Sequence, residues 1–468
     1  MKARALIAAA TAALVMLTAA QAAAAGWKRV TDPTGSNIDQ VSPLRTSDGM
    51  LHLAWQLRTG GNTADVRHTV ITPRGALGAT TPIVSGWVGL QNPALVAVPG
   101  GIRAFFGGMR TTDPSETLLE LNTAFSGDGG ATWGAPAGVV PAGGQAAGSP
   151  VSAAALPDGT TLQTWAGTLG TWVHAGLDPA TPNRDLQAPL GAYGYDTGIA
   201  AAADGAATVA WYSNAAGHLG VFAQQVAADG SPLGTAMNMP GTSKMKVGMV
   251  GRTPIVARPG GGFYVAYATG YPSLNSVRLW RVGTASARVI ARTTRVFNST
   301  ATVAAGADGR LWVVWTDAAG GAPRVRARRS NPAGSVFGAV VDAGRPAGAL
   351  SAYSLTASVA GGALDTLGLF SVGAGPGSAT YHTRILPGLT LTASPRAVRR
   401  SRLVKVRFTV LDAGDAVRGA RVKVGGASGK TNARGRVELT IPAGARAVSA
   451  VATAKGYTRA TLRLRRAA

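Results

Sequence analysis

The sequence contains no cysteine, which excludes disulfides, thiol chemistry and cysteine metal sites and leaves packing alone to stabilise the fold. Acids are scarce: 21 Asp and Glu stand against 45 Lys and Arg, a net charge of +24 over 468 residues. The five histidines, His52, His68, His174, His218 and His382, are scattered without metal-ligand spacing. Neither a Gly-x-Ser-x-Gly elbow nor a phosphate loop occurs. Beyond the first 25 residues no stretch approaches the roughly 20 apolar residues that a membrane-spanning helix needs. Nothing in the composition asks for a cofactor or a metal.

What is present begins with a leader. Lys2 and Arg4 precede an Ala-rich apolar run that ends in AAAA before Gly26, the layout of a secretory signal peptide. Residues 1–25 are therefore expected to be removed, and the chain to be secreted or held at the cell envelope. The remaining length suggests two or three domains. From residue 387 onward, 18 Lys or Arg face only Asp412, Asp415 and Glu438, a local charge of +15. Such a tail suits an anionic envelope polymer, although a coding bias that sets Arg over Lys by 37 to 8 gives the same composition. Nucleic acid is not expected, because no aromatics interleave with the basic residues.

Between these ends a unit repeats. A turn of the type DG, GG or PG is followed by alternating apolar residues and by a large side chain six positions after a glycine: SDGMLHLAW, PGGIRAFF, PDGTTLQTW, ADGAATVAW, GGFYVAY, ADGRLWVVW and, more weakly, AGGALDTL. The glycines are Gly49, Gly100, Gly159, Gly205, Gly261, Gly309 and Gly361, spaced 46 to 59 residues apart; the large residues are Trp55, Phe106, Trp165, Trp211, Tyr267, Trp315 and Leu367. Each turn has the positive backbone angles of a tight hairpin, and the alternation is that of a half-buried strand. With a further strand on either side, each unit is a small antiparallel sheet, and their radial repetition is an all-β propeller. Seven blades over residues 26–386 are expected, with six as the alternative, and the WKRV segment is placed to complete the last.

The segment SGDGGATW, Ser126 to Trp133, fits the pattern Ser-x-Asp-x-Gly-x-Thr-Trp. Ser126 and Asp128 are suited to bond the turn's own amides, Gly130 to supply a backbone conformation few residues tolerate, and Trp133 to anchor the loop, with Thr132 beside it. The segment resembles the Asp box of the sialidase-like propellers, and SNPAGSVFG at 330–338 is a degenerate echo. In that family the box is structural.

The resemblance also implies where substrate residues would lie. It sets Gln91 where the first substrate-binding arginine belongs, Asp113, after Arg110, at the acid/base aspartate, Arg324 at the third arginine and Tyr353 at the tyrosine nucleophile. For the activating glutamate it offers Arg252 or Thr253, and for the second arginine Tyr267 or Ala268. Two of three carboxylate-binding arginines and the group that activates a weakly nucleophilic phenol are thus replaced. The only glutamates in residues 26–386 are Glu116 and Glu120.

After Pro387, RLVKVRFTVLD, GARVKVGG, GRVELTIPAG, AVSAVATA and ATLRLRR alternate apolar with basic residues, as in a small β-sandwich of immunoglobulin-like architecture. The spacing resembles the carboxypeptidase-regulatory-like, or prealbumin-like, domains of exported bacterial proteins. The expectation is a monomer: a propeller at 26–386 that binds a glycan or a cell-surface protein without catalysis, then a basic attachment domain at 387–468. The rim of the binding site would be Gln91, Arg110, Asp113, Arg252, Arg324 and Tyr353. The alternatives are a divergent exo-glycosidase of sialidase type using Asp113 and Tyr353, and an envelope-associated structural or adhesive protein.

Overall fold

The computed structural model describes residues 26–32, 40–110, 120–140, 149–167, 170–186, 194–215, 217–243, 251–270, 273–293, 295–318, 321–373, 377–399, 403–441 and 448–467. The leader read in residues 1–25, as well as Asp113 and Glu116, lies outside them. The described residues are all-β. All seven anchoring glycines have φ between 53° and 101°, and each turn joins the first two strands of a four-stranded antiparallel sheet.

Sheet one comprises Ser42–Arg45, Leu51–Gly60, Thr63–Ile71 and Thr81–Val88, and sheet two Ala94–Val98, Gly101–Gly108, Glu120–Ser126 and Ala137–Val140. Sheet three is Ser152–Ala155, Thr161–Gly167, Gly170–Ala175 and Arg184–Asp185; sheet four is Gly194–Ala201, Ala207–Ser213, Gly220–Val226 and Pro232–Asn238. Sheet five is Ile255–Ala257, Phe263–Thr269, Ser276–Arg281 and Arg288–Arg292; sheet six is Val296–Ala305, Leu311–Asp317, Arg324–Arg329 and Val341–Gly344. Sheet seven takes Ala349–Ala360, Ala363–Val372 and Ser378–Ile385, and Lys28–Arg29 fills its fourth place, with Lys28 opposite His382 and Arg29 opposite Tyr381. The first strand of each sheet lies against the first strand of the next, and that of sheet seven against that of sheet one.

The large residue of each repeat explains this stacking. Trp55 packs in a cluster shared by sheets seven and one, Phe106 in one shared by sheets one and two, and so on through Trp315 between sheets five and six. Burying such an aromatic removes roughly 150–250 Å² from water, about 4–6 kcal/mol at 25 cal/mol per Å². The weak seventh anchor behaves differently. Leu367 turns toward sheet one and joins Trp55, while Leu364 and Phe370 pack against sheet six with Trp27.

A charged clasp reinforces the junction of sheets seven and one. Asp365 of sheet seven accepts hydrogen bonds from His382 Nε2 at 2.8 Å, from Arg384 Nε and Nη2 at 2.9 Å each, and from Arg45 of sheet one. Arg384 Nη1 reaches on to the Pro73 carbonyl of sheet one at 2.6 Å. Burial alone would push the Asp365 carboxyl up, but His382 and Arg384 outweigh it and hold it well below the usual carboxylate range.

The segment Ser126 to Trp133 is a self-contained brace. Asp128 accepts the Thr132 amide at 2.9 Å and the Thr132 hydroxyl at 2.6 Å, and Ser126 Oγ donates to Asp128 at 2.8 Å while accepting the Gly130 amide at 2.7 Å. The Thr132 and Ser126 bonds lower the Asp128 pKa to about 2. Gly130 has φ +85, and a Cβ there would meet His68 Cε1 at 2.1 Å. Trp133 stands edge-on to His68 with centroids 5.4 Å apart. In the echo at 330–338, Asn331 takes over the bracing and accepts the Ser335 and Val336 amides at 2.8 and 3.1 Å. The histidines are therefore less scattered than their spacing suggests: His52 Nδ1 lies 3.1 Å from His68 Nε2, and both are buried.

The strands after Thr390 form two sheets around one core that includes Phe408, Val422 and Leu464. One holds Thr390–Ser394, Val404–Asp412, Asp415–Ala416 and Arg436–Ile441. The other runs Ala397–Arg399, Ala460–Ala467, Val448–Thr453, Arg421–Val424, Ala427–Lys430 in spatial order. This unit docks on the turn end of sheet six. Arg329, 7% exposed, ion-pairs with Asp412 and lies between Trp312 and Tyr457, 5.7 and 5.8 Å from their ring centres, while Arg310 pairs with Asp415.

Two outcomes follow from these contacts. Asp365→Ala strands Arg45 and Arg384 without their counter-charge and is expected to cost about 3–5 kcal/mol, read from the urea midpoint at unchanged slope. A loss below about 1 kcal/mol would mean that apolar packing alone makes the junction. Burial, then the charge of His52, lowers the His68 pKa from 6.5 to about 4. Because the folded value lies below the unfolded one, the contribution is present above pH 6.5 and lost as pH falls toward 4. At about 1.4 kcal/mol per pH unit it amounts to up to about 3 kcal/mol, and His68→Gln should flatten the stability curve over that window.

Candidate functional site

The first strands enclose a channel of about 210 Å³ lined from Ser42 of sheet one round to Thr356 of sheet seven. Its walls are mostly small residues, such as Ala94, Ser152 and Gly198, because seven strands converging on one axis leave little room. Thr253 and Thr356 line it with Oγ1 atoms that find no protein hydrogen bond. The strand starts, opposite the Asp-box end, form its mouth.

Arg252 sits at that mouth as a clamp. Its Nε donates to Val151 O at 2.9 Å, its Nη2 to Asn92 O and Pro93 O at 3.0 and 2.6 Å, and its Nη1 to Gln40 Oε1 at 3.4 Å. Segments leading into sheets one, two and three are thus tied to the entry of sheet five. Burial pushes the guanidinium pKa down to about 10, so it remains charged at neutral pH. Its donors are engaged by backbone and amide oxygens, a structural duty rather than the rim position expected of it.

Next to it lies a residue that the sequence reading missed. Asp196 begins sheet four in a left-handed conformation, φ 52°, and its carbonyl accepts the Thr253 amide at 2.7 Å. Burial raises its carboxyl pKa to about 7, against the lowering effect of a bond from the Gly251 amide. The one sequence signal is an aspartate inside the apolar, glycine-rich run YGYDTGIA, where no turn or hairpin calls for one.

The other expected residues do not converge. Arg324, in the third strand of sheet six, is ion-paired with Asp342 at 3.0 Å. Arg110 lies over the Trp87 ring at 5.7 Å and donates to Pro136 O at 3.0 Å, on the flank of sheets one and two. Gln91 donates to Gly89 O at 3.2 Å and lines a separate crevice of about 290 Å³ with Gln56, Arg58 and Asn62. Tyr267 is a core residue whose hydroxyl donates to Pro240 O at 2.8 Å. Tyr353 lies near the mouth end of the first strand of sheet seven, where a register shift between Ala352 and Ser354 leaves it 39% exposed. Glu120 opens the third strand of sheet two, away from the channel lining. Among the described residues no group of three His, Asp or Glu could hold a metal ion.

No protein-family model and no curated relative matches the chain. Solved structures similar to it include the PL25 ulvan lyase, a polysaccharide lyase bound to -[GlcA(1-4)Rha3S]-, at 10% identity, covering 76% of this chain and 94% of that one with a TM-score of 0.46. The polysaccharide lyase Uly1 matches at 12% identity, 74% and 89% coverage and a TM-score of 0.43. The intramolecular trans-sialidase from Ruminococcus gnavus in complex with oseltamivir carboxylate matches at 9% identity, 60% and 90% coverage and a TM-score of 0.43. Likenesses at these scores carry no argument about activity.

The buried acid sets the pH response of the mouth. The folded pKa of Asp196, about 7, lies above the 3.8 of a free aspartate, so its contribution is fully present below pH 3.8 and lost as pH rises through 7. Asp196→Asn is expected to stabilise the protein by about 1–4 kcal/mol at pH 8 and by nothing at pH 4, measured as thermal midpoints. An equal gain at both pH values would refute the buried-acid assignment.

Proposed function

We propose that the chain is an exported, non-catalytic binding protein whose seven sheets are the blades of a closed propeller presenting a glycan platform at the channel mouth. The observation that carries this reading is the dispersal of the sialidase-type set. Arg252 is consumed as a clamp, Arg324 is paired with Asp342 on another part of sheet six, and Gln91 lies in its own crevice. Three converging cations are what a carboxylate-bearing sugar requires, and these do not converge. Tyr353, exposed at the mouth, suits stacking against the apolar face of a sugar ring. The unit after Pro387, an immunoglobulin-like sandwich in this reading, serves as the attachment element.

The test is a glycan array probed with the full mature chain, together with a fluorogenic sialoside. Binding without turnover is expected. Tyr353→Ala should weaken binding at least about ten-fold, or 1.4 kcal/mol, whereas Tyr353→Phe, which keeps the ring, should stay within about two-fold. Sialoside turnover abolished by Tyr353→Phe would replace this reading with the exo-glycosidase.

A further inference from the structure

We propose that the outer face of the five-stranded sheet in the C-terminal unit is a trough that binds a linear acidic polysaccharide along the strand Val448–Thr453. This deepens the attachment reading above by naming its surface and ligand class.

The trough follows from register. Ser449, Val451 and Thr453 form its floor, the outward residues of the middle strand, and their partners Ala450 and Ala452 are fully buried. On one side, Thr453 faces Arg421 and Val451 faces Lys423, with Lys430 opposite Arg421 one strand further out. On the other side, Ser449 faces Arg463, and Arg465 follows two residues on, on the same face. All five cations are exposed. Neighbouring strands are about 4.8 Å apart, so the two basic walls stand roughly 10 Å apart over a floor of short side chains, a width for a single extended polymer. Part of this depression, beside Arg421 and Lys423, encloses about 420 Å³.

Charge makes the face selective. The five strands of this sheet contain no acidic residue. The three carboxylates after residue 387 all lie in the other sheet and are already engaged: Asp412 with Arg329, Asp415 with Arg310, and Glu438 with Arg407 at 2.9 Å. Among the described residues no acidic side chain is left as a counter-charge for the trough, so a polyanion would neutralise rows of otherwise uncompensated cations. The floor and flanks decide which polyanion. Ser428, Ser449, Thr453 and Thr461 present hydroxyls between the charges, matched to sugar hydroxyls. The unit's two aromatics, Phe408 in the core and Tyr457 against Asp412, leave no platform for stacked bases. No large apolar side chain stands on the face to enter a bilayer.

The test uses the full mature chain with polygalacturonate as probe and dextran as neutral control, by calorimetry at two salt concentrations. Polygalacturonate should bind, dextran should not, and binding should weaken with salt. The triple variant Arg421→Ser, Lys423→Ser, Arg463→Ser should lose at least ten-fold in affinity, as should Ser449→Glu, which sets a carboxylate on the floor. Removing the same charge elsewhere, with Lys405→Ser, Arg434→Ser and Arg436→Ser, should leave affinity within two-fold. Equal loss in that control, or no binding to polygalacturonate, overturns the proposal. Tighter binding to single-stranded DNA or to phosphatidylglycerol vesicles, lost in the trough variants, overturns it in favour of that partner. Tyr353→Ala should leave polygalacturonate affinity unchanged, so the trough and the glycan platform fail separately.

Discussion

The junction of the last sheet with the first is the constraint on which the rest depends. A row of sheets that each bury one face against the next leaves two unsatisfied faces unless its ends meet. Here Leu367 and Leu369 of sheet seven meet Leu51, Leu53 and Trp55 of sheet one, and Asp365 gathers Arg45, His382 and Arg384 across that seam. The Lys28–Arg29 strand makes the join from the opposite end of the described chain. Apolar packing closes the gap without regard to alignment, whereas a fully buried carboxylate bonded by three residues tolerates one alignment only. With no cysteine to fix the seam covalently, that directional contact sets the alignment of sheet seven on sheet one.

The two ends of the sheets divide the chemistry. At the turn end, polar groups are satisfied locally, as Asp128 is by Ser126 and Thr132, and Asn331 by Ser335 and Val336. At the mouth end they are not. Arg252 holds a charge among carbonyls, Asp196 is an acid held from water in a left-handed conformation, and the Thr253 and Thr356 hydroxyls lack protein partners.

The repeat was legible in the sequence because its determinants are local. A glycine with positive φ, a run of alternating residues and a bulky side chain six positions on are all read within ten residues. The bracing of the loop Ser126 to Thr132 was legible for the same reason. Leu367 shows the limit: it occupies the anchor position but faces the other neighbour, because Gly361 is the first of the two turn residues between Ala360 and Ala363, whereas Gly100 is the second between Val98 and Gly101. The candidate site was far less legible, since its residues come from different sheets and meet only where their first strands lie together. Arg252 carries the charge of a substrate-binding arginine, yet only its surroundings, the carbonyls of residues about 100 to 160 positions away, reveal a clamp. His52 and His68, 16 residues apart, pair because they are diagonal neighbours on one face of adjacent strands, His52 opposite Val70 and His68 opposite Ala54. Likewise, the sequence counts Asp412 and Asp415 against the basic tail, whereas docking spends both on Arg329 and Arg310.

That docking has a mechanical consequence. Arg329 is held from both units at once, by Asp412 and Tyr457 on one side and by Trp312 on the other, and Arg310 with Asp415 forms a second anchor point beside it. Two anchor points hold the units against translation and against every rotation but the one about the line joining them. The trough and the channel mouth are then linked through a restrained contact rather than through a flexible tether alone. Two ligands displayed on one matrix at the matching spacing would be held with the gain of a bivalent contact, while ligands at any other spacing would be held one at a time. The joint, rather than either surface, would then act as the ruler.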